Sequence, residues 1–341
     1  MLMRKYFNFL GKNLLSIIKL LLLIYNKLLE FLYIGVKEVF MEYVYFEGKI
    51  VPEDEAKISV KTNSLHYGTA IFEGIRAYYD KDTDKMYGLF FKEHYQRLFQ
   101  NMKVLNMEIE ESIDELIEIT KELVRKNNIK SDIYIRPLVY FSDLKISPKL
   151  IGYTAKITIY TYPLGDYIDI NNGIKAKVSS WRRLNDNSIP PRLKVAGAYV
   201  NSAFAKTEAL LNGADEAIVL NEKGFVSEGS AENLFIVRNG KLITPPVSDD
   251  ILEGITRNAV KTIAEDLGYE VEERHIARTE LYVADEVFFC GTGAQISPVV
   301  EIDHVKIGDG KPGDITKKIQ EVYFNAVRGK IPKYRHWIIE I

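Results

Sequence analysis

Proline and glycine stand two residues apart in Tyr162-Pro163-Leu164-Gly165-Asp166, and neither a helix nor a central strand runs easily through such a segment. β-rich runs lie on both sides of it, over 132–141 and 155–162 before and 174–181 after. The chain is therefore expected to divide into a smaller unit, 41–161, a linker, 162–173, and a larger unit, 174–341. With 341 residues, each unit has enough chain for its own core.

The pattern within each unit mixes both periods. From Val44 onward come short strands and hairpins, then a strand over 87–91 and a helix over 92–103 entered through Glu93. Apolar residues at 113, 116, 117, 119, 123 and 124 form one helical face over 113–127. In the larger unit, 174–181, 214–220, 233–238, 241–244, 285–291 and 296–302 read as strands, and 199–211, 256–267 and 315–327 as helices. Gly213 and Gly268 are stop signals for two of those helices, and Asn239-Gly240 is a hairpin turn. The fold class is α+β, in two domains, with no internal repeat.

Charge and cysteine narrow the function. The formal net charge is −2 and the Lys and Arg residues are scattered, so a nucleic-acid footprint is missing. The single cysteine, Cys290, excludes a disulfide within the chain, which fits a reducing cytoplasm. It follows the apolar run Val287-Phe288-Phe289 and reads as a buried strand residue rather than a reactive thiol. No metal site is expected. Residues 1–40 differ from the rest: they are rich in Leu, Ile, Phe and Tyr, and 14–34 is long enough to span a membrane. Lys19, Lys27 and Glu30 interrupt that stretch at a cost, and no secretory cleavage site follows. The segment is either an anchor helix, a partner-binding helix, or the product of a start codon placed upstream of Met41; the last is the preferred reading. Membrane contact is expected only if 1–40 is translated.

Three segments carry chemistry. Lys194 lies between Ile189-Pro190-Pro191-Arg192-Leu193 and the small-residue run Val195-Ala196-Gly197-Ala198, which leads to Tyr199. Ser227-Glu228-Gly229-Ser230-Ala231-Glu232-Asn233 places carboxylates beside flexible backbone. Leu252-Glu253-Gly254-Ile255-Thr256-Arg257 reads as a helix start able to hold a phosphate. A shielded lysine that can bond covalently to an aldehyde, a buried carboxylate and a phosphate cradle are what a pyridoxal phosphate enzyme needs. Spacing alone leaves a surface lysine as an equal reading of Lys194, and it favours a packing role for Tyr199. Arg192 would lower the Lys194 pKa if it points inward.

In this order, the segments closely resemble the branched-chain amino acid aminotransferases of the class IV, D-alanine aminotransferase-like fold, from about Tyr43 to about Gly329. Such enzymes usually begin near Tyr43-Val44-Tyr45-Phe46-Glu47-Gly48, directly after Met41. The resemblance implies pyridoxal 5′-phosphate held between the two domains, with Lys194 as the catalytic lysine that carries it. Tyr199 would bond the cofactor's 3-hydroxyl oxygen, and Glu228, rather than Glu232, would face the ring nitrogen. Arg97, Ile255, Thr256 and Thr292 would hold the phosphate.

For the substrates, His66-Tyr67-Gly68-Thr69-Ala70-Ile71-Phe72-Glu73-Gly74-Ile75-Arg76 resembles the branched-chain group closely. Phe72 would line the apolar pocket, and Tyr67 would reach the site of a neighbouring subunit, which implies a dimer or larger assembly. Tyr134 would hold the α-carboxylate with backbone N–H groups near Gly293 and Ala294. Arg136, with Tyr67, would receive the distal carboxylate of glutamate; a structural ion pair is the alternative for Arg136. The linker lacks the family's tryptophan: Leu164 stands in its place and Tyr167 keeps a nearby tyrosine. The implied reaction is amino transfer between L-leucine, L-isoleucine or L-valine and 2-oxoglutarate, giving 2-oxo acids and L-glutamate, in the cytoplasm.

Rival readings on the same fold are a D-amino acid aminotransferase and an aminodeoxychorismate lyase. The first resembles an Arg-x-His pair in the loop 141–150, which contains neither residue. The second resembles a Phe-Thr-Thr-Ala-Arg-like segment where this chain has Phe72-Glu73-Gly74-Ile75-Arg76. A membrane-tethered, non-catalytic homologue is a third reading, which an intact Lys194, Tyr199 and Glu228 oppose.

Overall fold

The computed structural model describes residues 42–165 and 169–341, so the 1–40 segment and Tyr167 lie outside the described residues. The chain first lays down β1 (Tyr43–Phe46), β2 (Lys49–Pro52), helix α1 (Asn63–Tyr67), β3 (Ile71–Phe72), β4 (Ile75–Asp80), β5 (Lys85–Leu89), helices α2 (Phe91–Val104) and α3 (Ile113–Asn127), β6 (Ile133–Phe141) and β7 (Ala155–Pro163). It continues with β8 (Ile174–Arg182), α4 (Tyr199–Leu211), β9 (Glu216–Leu220), β10 (Val226–Gly229), β11 (Asn233–Arg238), β12 (Lys241–Thr244), α5 (Ile255–Asp266) and β13 (Val271–Glu273). It ends with β14 (Glu286–Gly291), β15 (Gln295–Ile302), β16 (Val305–Lys306), α6 (Asp314–Val327) and β17 (Ile338–Glu340). Among the described residues, no helix is long and apolar enough to cross a membrane.

Two sheets result. The first runs β17-β5-β4-β6-β7-β1-β2, with β3 against β6, and all its pairs are antiparallel. The second runs β10-β9-β8-β15-β14-β11-β12-β13, with parallel pairs on both sides of β8. The segment 174–341 supplies the whole second sheet but also β17, which returns to the edge of the first. Tyr78, Leu89 and Phe90 from the first half share a core with Val260, Ile263, Ile319 and Tyr323 of α5 and α6. The two halves therefore cannot separate without exposing apolar surface.

Local chemistry accounts for most boundaries. Ser112 and Glu115 cap α3 reciprocally, each side chain meeting the other residue's backbone N–H. Asn239 and Gly240 both take positive φ between β11 and β12, as a tight hairpin requires. Two expectations shift. The strand expected over 87–91 lies at Lys85–Leu89, because Phe90 adopts a left-handed conformation at φ 53° and Phe91 already begins α2. The linker expected from 162 begins later: Tyr162 and Pro163 still belong to β7, where Pro163 ends the ladder opposite Ile133.

Alternation on β6 sets the site. Ile133, Ile135 and Val139 are fully buried in the first core, while Tyr134, Arg136 and Leu138 point the other way, into a cavity between the halves. The lysine segment reaches that cavity by pairing with β3 and the residues before it. Phe72 N–H donates to Lys194 O, Ala196 N–H to Ala70 O and Gly197 N–H to Gly68 O, at 3.1, 2.7 and 2.9 Å. The two glycines make this approach available: a Cβ at Gly68 would stand 2.8 Å from Gly197 Cα, and one at Gly197 would stand 3.0 Å from Gly68 O. The small-residue run after Lys194 thus packs on backbone.

This close approach is testable by comparison with Gly213, which also has positive φ but would place a Cβ in open space. Gly213→Ala is expected to cost about 1 kcal/mol of unfolding free energy, from backbone strain alone. Gly68→Ala is expected to cost roughly 2–3 kcal/mol, since it adds a backbone clash. Equal losses in denaturant unfolding would remove the contact from the explanation.

Candidate active site

The cavity has a volume of about 710 Å³. Lys194 crosses into it and donates from Nζ to Tyr199 Oη at 2.9 Å. Burial lowers the lysine pKa, but the Tyr199 oxygen and Glu73 more than offset it, so the net displacement is upward. Arg192 plays no part in that balance: it is half exposed, pairs with Asp186 and Glu253 on the outside, and does not point inward.

Phe72 forms the adjoining wall. Its ring centroid lies 4.8 Å from that of Tyr199 and 5.1 Å from Lys194 Nζ. Arg136 also lies over the Phe72 ring, Cζ at 4.3 Å from the centroid, and donates from Nη2 to Tyr134 Oη at 2.9 Å. Arg136 Nε is buried without a hydrogen-bond partner, and no carboxylate among the described residues pairs with this guanidinium. Tyr134 needs Gly74 beside it, because a Cβ there would stand 1.9 Å from its oxygen.

Glu228, on the cavity lining, is 3% exposed. Arg183 Nη2 meets its Oε1 at 2.7 Å, while Asn233 Nδ2 and Leu252 N–H donate to Oε2 at 2.9 and 3.1 Å. Burial pushes this carboxyl up, and Arg183 works against that displacement. Glu232, also on the cavity lining, differs. Burial and the neighbouring carboxylate of Glu216 push it up to about 8, and it lacks an arginine partner among the described residues. Of the two glutamates, only Glu228 is held in the geometry of an anion.

The third group is a cluster of N–H donors. Helix α5 starts at Ile255 with Gly254 before it and no side-chain cap, leaving the first N–H groups unbonded at the cavity. Arg97 leans toward this helix start, donating to Glu253 O at 2.9 Å. Fully buried Glu73 holds it through Nε and Nη2 at 2.7 and 2.8 Å, and His94 Nδ1 braces Glu73 at 2.8 Å. Burial pushes Glu73 up, but the Arg97 guanidinium overcomes it and holds the carboxyl well below the usual range. An uncapped helix start beside an arginine suits a phosphate ester, and the carboxylate of Glu228 in the same cavity suits a protonated ring nitrogen.

A family model for amino-transferase class IV matches residues 70–302. The probable branched-chain-amino-acid aminotransferase of Aquifex aeolicus is 62% identical over 306 residues, covering 89% of this chain and 98% of that one. The chain belongs to the branched-chain-amino-acid aminotransferases of class IV. Solved members superpose closely. The Thermoproteus uzoniensis branched-chain aminotransferase, solved with norvaline, has a TM-score of 0.84 at 44% identity, and the match covers 88% of this chain and 99% of that one. The branched-chain amino acid aminotransferase of Thermobaculum terrenum, solved in its PLP-bound holo-form, has a TM-score of 0.84 at 39% identity, with 88% and 98% covered.

For this aminotransferase, the cavity brings together Phe72, Arg97, Tyr134, Arg136, Lys194, Tyr199, Glu228, Ile255, Thr256, Thr292, Gly293 and Ala294. Tyr67 is half-buried and does not line the cavity of its own chain. Cys290 is fully buried on β14 with its thiol pKa raised by burial, as a strand residue would be. Sequence reasoning missed Arg183, Glu73 and Asn233, which hold the ionised groups from behind. Glu73 stood inside the motif around Phe72; nothing in the spacing singled out Arg183.

The contrast between the glutamates predicts a pH effect. A carboxyl raised in the folded state, from 4.5 to about 8 for Glu232, stabilises the fold below its unfolded pKa and loses that contribution as pH rises through the folded value. Glu232→Gln is expected to show a smaller fall in Tm between about pH 5 and pH 8 than the wild type. Parallel Tm profiles would mean that Glu232 is ionised throughout.

Proposed function

We infer that the chain transfers an amino group reversibly between L-leucine, L-isoleucine or L-valine and 2-oxoglutarate, giving branched 2-oxo acids and L-glutamate. The observation that carries this reading is Lys194 Nζ, placed against Tyr199 and Phe72 in a cavity that the start of α5 and Glu228 also line. When bound, pyridoxal 5′-phosphate supplies the aldehyde that takes up the amino group and a ring that accepts electrons from substrate Cα.

The chain's own residues divide the remaining work. Arg97, the Ile255 and Thr256 N–H groups and Thr292 hold the phosphate. Glu228, kept anionic by Arg183, Asn233 and Leu252, keeps the ring nitrogen protonated. Tyr199 holds the ring hydroxyl and shares its oxygen with Lys194. Lys194 carries the cofactor at rest and moves the proton at substrate Cα as general base and acid. Tyr134 and the Gly293 and Ala294 N–H groups receive the α-carboxylate. Phe72 offers an apolar wall to leucine, and Arg136, with an unpartnered Nε, receives the distal carboxylate of glutamate. A donor left buried and unsatisfied costs about 1–3 kcal/mol, which a carboxylate arriving there relieves. The D-amino acid aminotransferase and aminodeoxychorismate lyase readings are not favoured, since 62% identity runs over most of the chain to the branched-chain enzyme.

The same reading extends to self-association. Asn63 ties the segment around Tyr67 to the 142–151 loop: its backbone N–H donates to Asp143 O, and its side-chain Nδ2 donates to Lys145 O and Ser147 O. The joined segments expose Ile58, Val60, Leu65, Leu144, Ile146 and Ile151. A second copy covering this surface would bring Tyr67 to a neighbouring cavity. Sedimentation is expected to find a dimer or larger species, and Leu65→Lys with Ile146→Lys to shift it toward monomer; an unaltered wild-type monomer would remove Tyr67 from the site.

The activity test mixes holoenzyme with 2-oxoglutarate and either L-leucine or D-alanine. Glutamate is expected from L-leucine alone, and none from Lys194→Ala. Arg136→Met is expected to raise KM for 2-oxoglutarate by about 10- to 100-fold, with a smaller change for leucine, as loss of a charged hydrogen bond implies. Equal rises for both would place Arg136 outside substrate selection.

A further inference from the structure

Antiparallel pairing sets Tyr160 of β7 directly opposite Arg136 of β6, and Tyr162 opposite Tyr134. Residues opposed in such a pair share one side of the sheet, with Cβ atoms about 4.5–5.5 Å apart. Here that side is the cavity side. Ile157, Ile159 and Thr161 are buried on the other face, whereas Tyr160 and Tyr162 line the cavity. Tyr162 meets Tyr160 edge-to-face, with ring centroids 5.6 Å apart at 89°, an arrangement that aromatic pairs prefer.

Tyr160 therefore joins Phe72 and Tyr134 around one guanidinium, that of Arg136. The three rings differ in what they leave free. Phe72 has no polar atom, and Tyr134 accepts from Arg136 Nη2. Tyr160 is half-buried, and among the described residues its O–H donates to no acceptor. The guanidinium opposite it can only donate. Burial raises the Tyr160 hydroxyl above its ordinary value, with the Arg136 charge working against that shift, so the proton stays on the oxygen at neutral pH. The buried, unpartnered Nε of Arg136 and the Tyr160 O–H are thus two donors without acceptors, carried by opposed residues of one strand pair. A carboxylate, with two acceptor oxygens, satisfies both.

We propose that Tyr160 is a specificity-determining residue: its hydroxyl donates to the distal carboxylate of glutamate and 2-oxoglutarate beside Arg136, and its ring is an apolar wall when a branched side chain occupies the cavity. The proposal rests on the reading that Arg136 receives that carboxylate. It adds a donor from the same chain as Lys194, so the acidic substrate gains a second contact that needs no neighbouring subunit. A phenol suits both substrates where a second cation would not. Being neutral, it leaves no additional charge stranded against an apolar side chain, and its ring contributes apolar area.

The test compares holoenzyme of wild type, Tyr160→Phe and Arg136→Met by calorimetric titration with glutarate and with 4-methylvaleric acid. These ligands are glutamate and leucine without the amino group, so neither reacts, and they differ only at the distal end. In Tyr160→Phe, which keeps the ring, the glutarate Kd is expected to rise roughly 10-fold and the 4-methylvalerate Kd to stay within ~2-fold, as loss of one hydrogen bond to a charged group implies. The KM for 2-oxoglutarate is expected to rise with the glutarate Kd, while the KM for L-leucine holds. An unchanged glutarate Kd would overturn the proposal by leaving the hydroxyl outside recognition. Equal losses for both ligands would also overturn it, since Tyr160 would then be a packing residue. Arg136→Met separates these failures from failure of the underlying reading. If it does not weaken glutarate selectively, the distal carboxylate does not bind at Arg136 and both statements fall. If it does and Tyr160→Phe does not, only the role of Tyr160 falls.

Discussion

The site depends on a short antiparallel contact between segments more than a hundred residues apart. Backbone from Gly68 to Phe72 pairs with backbone from Lys194 to Gly197, and only glycine at both crossing points lets them approach. This contact sets the lysine's height over the cavity, because its own carbonyl is one of the bonded groups. It also places Phe72 directly beside Lys194, so the apolar wall and the reactive amine are fixed by one ladder. A backbone register is discrete, and a slip by one residue would turn Phe72 out of the cavity altogether.

Around that contact, each ionised group is braced by a partner from elsewhere in the chain. Glu73 and His94 fix Arg97, Arg183 and Asn233 fix Glu228, and backbone carbonyls fix Arg76. Buried charges are costly alone and tolerable when hydrogen-bonded. Here the bracing also sets direction. Arg97 uses its Nε and one Nη on Glu73 and turns its remaining Nη1 toward Glu253 O beside the start of α5, so the guanidinium is held at that helix start. Glu232, which has no such arginine among the described residues, is the carboxyl whose pKa rises most clearly.

Much of this was legible in sequence where the information is local. Helix Tyr199–Leu211 ends where Gly213 indicates, and the Asn239-Gly240 hairpin joins the strands expected on both sides. The segments around Lys194, Glu228 and the helix start at Ile255 were visible as local motifs, but spacing left Lys194 open and favoured packing for Tyr199; only the family resemblance assigned their roles. What escaped was long-range. Pairing of β17 with β5 joins the last strand of the chain to a hairpin near its beginning, and it carries no local signature. Arg183 follows a strand end in a run of ordinary polar residues, and only the sheet's parallel crossover brings it to Glu228. Phe90 misled the boundary of β5 because a bulky residue at positive φ is rarely expected from composition.

The proposed function asks one cavity to accept both an apolar and an acidic side chain. A wholly apolar pocket would reject glutamate, and a carboxylate receptor lined with free cations would reject leucine. On the proposed reading Arg136 meets both demands: it lies over the Phe72 ring, whose face attracts the cation without using its hydrogen-bonding edge. With leucine present, the guanidinium remains over the ring and bonded to Tyr134, and the wall is largely apolar. With glutamate present, the proposed reading gives the unpartnered Nε an acceptor. At Nε the two states differ by one hydrogen bond to a charged group, worth about 1.5–3 kcal/mol. That is comparable with burying a leucine side chain, about 1.5–3 kcal/mol, so neither substrate class need outcompete the other.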